Sequence, residues 1–224
     1  MGLAGGALRD CVVVDGDAMA LARGREWAEA LGAELVIRRS PARLAARLVV
    51  VDATGSLRWR VRRTLSPLLV ARPPSGTGRV LVAVDLTDPD EHALGLVARL
   101  AHQRRAEVTL IHSLEPLLRE AERMANLGST AGFVPSDLES ATRDSQRRLS
   151  ELLSDHELRG EVRIGDAPAA RFILDVAQEL LPDLIVVGAS RHRGLLHALR
   201  RSIADEVAAL AAVSVLVVPR TKHA

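Results

Sequence analysis

Residues 184–188 read Leu-Ile-Val-Val-Gly, an uninterrupted apolar run that ends on a glycine. Runs of the same kind occur at residues 11–15, 79–85, 108–112 and 215–218. Nearly continuous aliphatic residues of this length are typical of strands that are buried on both faces of a parallel sheet. Because helical patterns lie between the runs, the sequence predicts an α/β fold with a doubly wound, parallel, five-stranded sheet.

Capping residues mark where several of the helices begin. Residues 88–91, Asp-Pro-Asp-Glu, combine an N-cap, a proline suited to the first helical position and a capping-box glutamate. Residues 136–139 form a second capping box, which opens a polar helix to about Leu153. Further helices are predicted over about 168–181 and from near Ser202. Ligands of such sheets bind beyond the carboxyl ends of the strands, where the strand order reverses.

An internal repeat organises the chain. Three short segments recur later at growing offsets of 70, 136 and 148 positions: 11–15 at 81–85, 48–52 at 184–188, and 66–70 at 214–218. The growth of the offset locates two deletions in the first copy, one after its first strand and one after its equivalent of the fourth strand. We therefore predict a shortened first domain at residues 1–72, a linker at 73–78 and a complete domain at 79–224.

Composition excludes several classes of protein. With 48% hydrophobic and 26% charged residues, the chain is typical of a soluble globular protein. No apolar run is long enough to cross a bilayer, and no signal peptide is recognisable, so we expect a cytoplasmic protein without a membrane partner. Cys11 is the only cysteine, which rules out an intrachain disulfide. Aromatic residues make up only 2% of the chain, which argues against nucleic-acid binding by base stacking.

From residue 79 to 220 the chain resembles the universal stress protein family, whose fold is nucleotide-α-hydrolase-like. The resemblance rests on the order and spacing of six segments: 82–87, 108–112, 165–168, 184–188, 202–207 and 214–219. Nucleotide-binding members of the family carry a phosphate loop with the pattern G-x2-G-x9-G-[S/T]. This chain keeps the frame, but arginine replaces the second and third glycines: Gly188, Arg191, Arg201, Ser202.

The resemblance implies a cofactor-binding set: Val84, Asp85, Gly188, Ser190, Arg191, Arg201, Ser202 and Ile203. The two arginines either block close approach of a phosphate or bind it through their side chains. We prefer loss of binding, so no cofactor is expected, with ATP or AMP as the alternative. Asp85 either contacts adenine or ribose or caps the following loop. Ser202 is either a helix N-cap or a phosphate ligand. Asp52 replaces Gly188 in the first copy and would repel a phosphate there.

Motifs for catalysis and metal binding are absent from the sequence. There is no HExxH motif, no Cys/His cluster and no G-x-S-x-G elbow. We therefore expect no metal and no catalytic residue, and favour a non-enzymatic protein.

The resemblance also implies how the chain assembles. Family members commonly dimerise through their last strands, so residues 67–70 and 215–218 are predicted to pair within one chain as a pseudo-dimer. Further homo-oligomerisation and an unidentified protein partner are expected. The implied function is stress response or regulation through assembly and partner binding. The alternative is an ATP or AMP sensor with slow hydrolysis.

Overall fold

The computed structural model describes residues 10–37, 46–53, 66–87, 89, 91–126, 135–189 and 202–219. Its strands are β1 Cys11–Asp15, β2 Glu34–Ile37, β3 Leu48–Asp52, β4 Leu68–Ala71, β5 Arg79–Ala83, β6 Glu107–Ser113, β7 Gly160–Gly165, β8 Leu184–Ala189 and β9 Ser214–Pro219. Its helices are α1 Ala18–Leu31, α2 Glu91–Arg104, α3 Glu115–Asn126, α4 Pro135–Asp155, α5 Ala169–Leu180 and α6 Ile203–Leu210.

The nine strands form one continuous sheet in the order β2-β1-β3-β4-β9-β8-β5-β6-β7. Every neighbouring pair is parallel except β4 and β9, which run antiparallel. The predicted α/β fold is confirmed, and the five strands of the second half lie in the doubly wound order β7-β6-β5-β8-β9. The strands of both halves belong to this single sheet.

The central strands divide their side chains between two cores. Leu69 of β4 and Leu216 of β9 face the core covered by α1, α2 and α4, and both are fully buried. Val70 and Val215 face the opposite core, covered by α5 and α6. Alternation along a strand with both faces buried explains why the sequence shows continuous apolar runs.

Two strands and two helices were not predicted from the sequence, and one of these helices is α1. Strands β2 and β7 lie at the two edges of the sheet, and their side chains are only partly buried. Helix α3 is rich in charged residues and mostly exposed. Residues at an edge or on an exposed helix need not be apolar, so the signal of a buried element is weak there.

Two predicted helix starts are displaced. Helix α2 begins at Glu91, the last residue of the predicted capping segment, while Asp88 and Asp90 lie outside the described residues. Helix α4 already begins at Pro135, so the prediction that Ser136 precedes the helix as its cap is wrong. A proline fits the first turn because its missing N–H has no acceptor there.

The junction between the halves is a short antiparallel pairing. Leu68, Leu69 and Val70 lie opposite Val217, Leu216 and Val215. Beside it, the Arg72 N–H donates to Ser214 Oγ at 3.0 Å, and the Ser214 hydroxyl donates to the Arg72 carbonyl at 2.9 Å. Ser214 is fully buried, so these bonds satisfy a hydroxyl that would otherwise be costly to bury.

Side chains extend the junction on both faces of the sheet. The Arg72 guanidinium donates to the carbonyl of Ala208 at 2.6 Å, near the carboxyl end of α6, and to that of Val213 at 3.4 Å. On the other face, Arg104 of α2 pairs with Glu26 of α1 at 2.5 Å. The Arg104 guanidinium also lies 5.8 Å from the centroid of the Trp27 ring. These contacts hold helices of one half against the other half.

The segment predicted as a linker is anchored at Asp183, just before β8. The Asp183 carboxylate accepts hydrogen bonds from Ser75 Oγ at 2.8 Å, Gly76 N at 2.6 Å and Gly78 N at 2.8 Å. Gly76 and Gly78 have φ of 78° and 69°, a conformation that favours glycine. Burial would raise the pKa of Asp183, but these hydrogen bonds outweigh it and hold the pKa below its ordinary value of 3.8.

We predict that Asp183→Asn lowers the melting temperature at neutral pH, because asparagine cannot hold these N–H groups with a negative charge. A carboxyl with a lowered folded-state pKa stabilises the fold above its unfolded pKa, and this contribution is lost as the pH falls through the folded value. The difference from wild type is therefore complete at pH 7 and shrinks below about pH 4. Circular dichroism melts across this range test it, with the exposed Asp155→Asn as control. A difference that stays constant down to pH 3 would contradict the assignment.

Candidate functional site

A crevice of about 760 Å³ lies at the carboxyl ends of β5, β6 and β8. It is at the point where the chain order reverses, since β6 and β8 lie on opposite sides of β5. This is where open α/β sheets bind ligands. The crevice is lined by Val82, Ala83, Val84, Asp85, Leu86, Thr87, Ala93, Leu94, Ile111, His112, Ser113, Leu114, Pro116, Leu117, Ala141, Asp144, Ser145, Arg148, Ala169, Phe172, Ile173, Val186, Val187, Gly188, Ile203 and Ala204.

The structure brings four residues of the predicted set together in this crevice: Val84, Asp85, Gly188 and Ile203. Ser202 lies directly before Ile203, at the N-cap of α6. Ser190, Arg191 and Arg201 lie outside the described residues. A Cβ placed on Gly188 would have no described atom within 4 Å, so none of the described residues fills the crevice above this glycine.

The amino end of α6 is closed by a reciprocal capping box. Ser202 Oγ accepts from the Asp205 N–H at 3.0 Å, and Asp205 Oδ2 accepts from the Ser202 N–H at 3.4 Å. The predicted N-cap role of Ser202 is therefore confirmed. The Asp205 side chain is buried and carries a carboxylate to the end of the helix where an anion would bind. The same carboxylate accepts from the Ser202 N–H, a backbone donor that a phosphate at this helix end would use.

Asp85 caps the loop that follows β5. Its Oδ1 accepts from the Thr87 N–H at 3.1 Å and from the Thr87 hydroxyl at 2.6 Å. This is the loop-capping role, one of the two that the sequence left open. Contact of Asp85 with adenine or ribose stays a prediction.

The opposite wall of the crevice was missed by the sequence analysis. It is formed by His112 at the end of β6 and by Ser145 and Arg148 on α4. Because a carbonyl can only accept, His112 Nδ1 donates to the Val84 carbonyl, at 2.9 Å, and ties β6 to the loop after β5. Ser145 and Arg148 are three residues apart on one helix, a spacing that places them on the same face. The three-residue spacing of Ser145 and Arg148 was the signal available in the sequence. Only the folded structure shows that this face of α4 covers the crevice.

In the first half, Asp52 lies close to the loop that follows β1. A Cβ placed on Gly16, just after β1, would lie 2.8 Å from Asp52 N and 3.1 Å from Asp52 Oδ2. The end of β3, including the Asp52 carboxylate, therefore lies against this loop.

The described residues contain no group of three His, Cys, Asp or Glu side chains arranged to hold a metal ion. None of the helices in the described ranges has the length and apolar content needed to cross a membrane.

Comparison with solved structures shows the same fold along nearly the whole chain. A protein assigned to the universal stress proteins of Pseudomonas aeruginosa UCBPP-PA14 has a TM-score of 0.63 and 17% identity, over 97% of this chain and 95% of that one. A universal stress protein from Archaeoglobus fulgidus DSM 4304 has a TM-score of 0.57 and 15% identity, and the match covers 91% of this chain and 80% of that one. A functionally unknown protein from P. aeruginosa PAO1 has a TM-score of 0.60 and 16% identity, and the match covers 93% of this chain and 82% of that one.

A comparison with curated proteins found no match. The sequence model of the Universal stress protein family matches residues 76–219. This range includes the strands β5 to β9, the crevice between them and the helix α6 that follows the phosphate-loop frame. Because the match extends over more than half of the chain, the protein belongs to the universal stress protein family.

Proposed function

We propose that this chain is a stress-response protein that acts through assembly and partner binding, with its first half in the place of a second subunit. The observation that carries the proposal is the antiparallel pairing of β4 with β9. An offset of 148 positions relates Leu68 to Leu216 and Leu69 to Val217. Exchanging the two copies therefore turns the pair Leu68–Val217 into the pair Leu216–Leu69. A twofold axis between two copies requires this relation.

The ends of two helices support a duplication. After α1, the N–H of Gly32 donates to Glu29 O at 3.1 Å and that of Ala33 to Ala28 O at 2.9 Å. After α2, Arg105 and Ala106 make the same two bonds, to His102 O at 3.4 Å and Ala101 O at 2.9 Å. Gly32 and Arg105 also share a left-handed backbone, with φ of 57° and 52°. All these positions differ by 73, which agrees with a duplication, although α4 ends in the same type of cap at Glu157 and Leu158.

The order of the strands supports the same interpretation. The first half runs β2-β1-β3-β4, which matches β6-β5-β8-β9 of the second half without an equivalent of β7. We accordingly keep the division into a shortened domain at 1–72, a linker at 73–78 and a complete domain at 79–224. In this proposal the first half is retained for its interface, because the Asp52 carboxylate lies beside Gly16, where it would repel a phosphate.

A weakened nucleotide site is part of the proposal. The Asp205 carboxylate lies at the amino end of α6 and bonds to the Ser202 N–H. Arg191 and Arg201 replace two glycines of the phosphate-loop frame, where a Cβ and a long side chain hinder close approach of a phosphate. We therefore propose a regulatory role without catalysis, in the cytoplasm.

The second candidate is an ATP or AMP sensor. It is favoured by the crevice, which none of the described residues fills above Gly188. In that case Asp85 would contact the base or ribose, and Arg191 and Arg201 would bind phosphate through their guanidinium groups.

Mg-ATP separates the two candidates. Ligand binding to the folded state stabilises it by about 2.7 kcal/mol at a hundredfold excess over Kd. We predict no change in melting temperature at millimolar Mg-ATP for the wild type, and an increase for Arg191→Gly with Arg201→Gly. A clear increase for the wild type that the double substitution abolishes would contradict a weakened site and support the sensor.

The junction is tested by removing the first half. An unpaired apolar edge strand promotes association, so we predict that residues 79–224 alone associate through β9 more strongly than the full chain does. Light scattering after size-exclusion chromatography measures this, with the full chain at equal concentration as control. A well-folded fragment that stays monomeric at high concentration would argue against the pseudo-dimer.

Further homo-oligomerisation of the full chain would use the outer edges, β2 or β7.

A further inference from the structure

Most polar side chains that line the crevice are already bonded within the protein. Asp85 holds Thr87, and Ser113 donates to the carbonyl of Ala167 at 2.7 Å. Asp144 forms an ion pair with Arg147 at 3.5 Å. These groups shape the wall and the loop around the crevice. Their bonds to the protein also limit what they can offer to a ligand.

Arg148 and Ser145 differ from these groups. Both line the crevice from α4, and neither side chain makes a hydrogen bond or an ion pair in the described part of the chain. Leu149, next to Arg148, is fully buried in the core, which fixes how this turn of α4 faces the sheet. A guanidinium and a hydroxyl three residues apart are a donor pair suited to one acid group.

Apolar side chains form the remainder of the crevice wall. Leu94 and Ile111 are buried, and Phe172 contributes an aromatic ring from α5. Leu117 belongs to α3, a helix whose apolar residues are only partly covered, and it is 41% exposed. A volume of about 760 Å³ is within the range for small-molecule sites, and such sites combine apolar walls with a few polar groups.

We propose that the crevice binds a small amphipathic carboxylate. Its acid group is held by Arg148 and Ser145, and its apolar part lies against Ile111, Leu117 and Phe172. The charges favour this arrangement, because Arg148 has no acidic partner among the described residues, whereas Asp144 forms an ion pair with Arg147 at 3.5 Å. The ligand is held from α4, on the wall opposite the phosphate-loop frame. The inference therefore goes beyond the proposed function, which depends on the junction and assigns no ligand to the crevice.

The acid-group contact is tested with octanoate as the probe and isothermal titration calorimetry on the full chain. We expect Arg148→Gln to raise the Kd for octanoate about tenfold or more, the effect of losing a charge-assisted hydrogen bond. Arg143→Gln is the matched control. It removes the same charge from an exposed position of the same helix, which does not line the crevice and whose guanidinium donates to the Glu139 carbonyl at 3.3 Å. Its Kd should stay within about twofold of wild type.

The apolar contact is tested with a second matched pair on α3. Leu117 and Met124 are 41% and 42% exposed, but only Leu117 lines the crevice. Leu117→Gln should weaken octanoate binding roughly three- to tenfold, because part of the apolar contact is lost. Met124→Gln should leave it unchanged. Their exposure makes both substitutions compatible with folding, which equal melting temperatures would verify.

A neutral probe, octanol, and a nucleotide probe, Mg-ATP, complete the test. Octanol should bind the wild type more weakly than octanoate and should be insensitive to Arg148→Gln. Mg-ATP should bind less tightly than octanoate. The proposal is overturned if millimolar octanoate does not bind the wild type, if Arg148→Gln binds it equally well, or if octanol binds as tightly. Each of these results leaves the pairing of β4 with β9 untouched, so failure here is distinct from failure of the pseudo-dimer.

Discussion

The antiparallel pairing of β4 with β9 is the interaction on which the architecture depends. Without it the two halves would each end in an apolar strand with one row of unpaired N–H and carbonyl groups. With it nine strands become one sheet, and both final strands are central and buried. The pairing also brings α1 and α2 together, where Arg104 contacts Glu26 and Trp27.

The same pairing connects the first half to the crevice of the second. Helix α6 begins at the crevice with Ile203 and ends near the junction, where the Arg72 guanidinium binds the carbonyl of Ala208. Burial lowers the pKa of Arg72, yet its hydrogen bonds to carbonyls satisfy the buried donors. A cation at the carboxyl end of a helix is favourable for the helix dipole. The first half thus supports one wall of the crevice without lining it.

The distribution of polar groups explains what could be predicted from the sequence. Strands β1, β3, β5, β8 and β9 are buried on both faces, and their apolar runs were recognisable. Strand β7 alternates polar and apolar residues at an edge, and in β2 only Leu35, Val36 and Ile37 are consecutive apolar residues, so neither has the long apolar run of the central strands. The cap at Ser202 was predictable because a capping box is local in sequence.

The crevice could be predicted only in part. The family resemblance grouped Asp85, which follows β5, with Gly188, near the end of β8. Their proximity agrees with the rule that the carboxyl ends of parallel strands meet at one edge of a sheet. Arg148 and Ser145 reach the crevice because α4 packs against β6 and β7. No local pattern encodes which helix folds over which strand end. The wall that α4 forms is therefore the part of the site least accessible to sequence reasoning.

Amide hydrogen exchange in the full chain, followed by mass spectrometry, tests the central pairing most directly. If β4 and β9 are neighbours in one sheet, peptides covering 68–71 and 214–219 should be as protected as those covering 184–189, and more than the edge strand at 34–37. Rapid exchange of 68–71 alongside protection of 184–189 would show that β4 does not pair with β9.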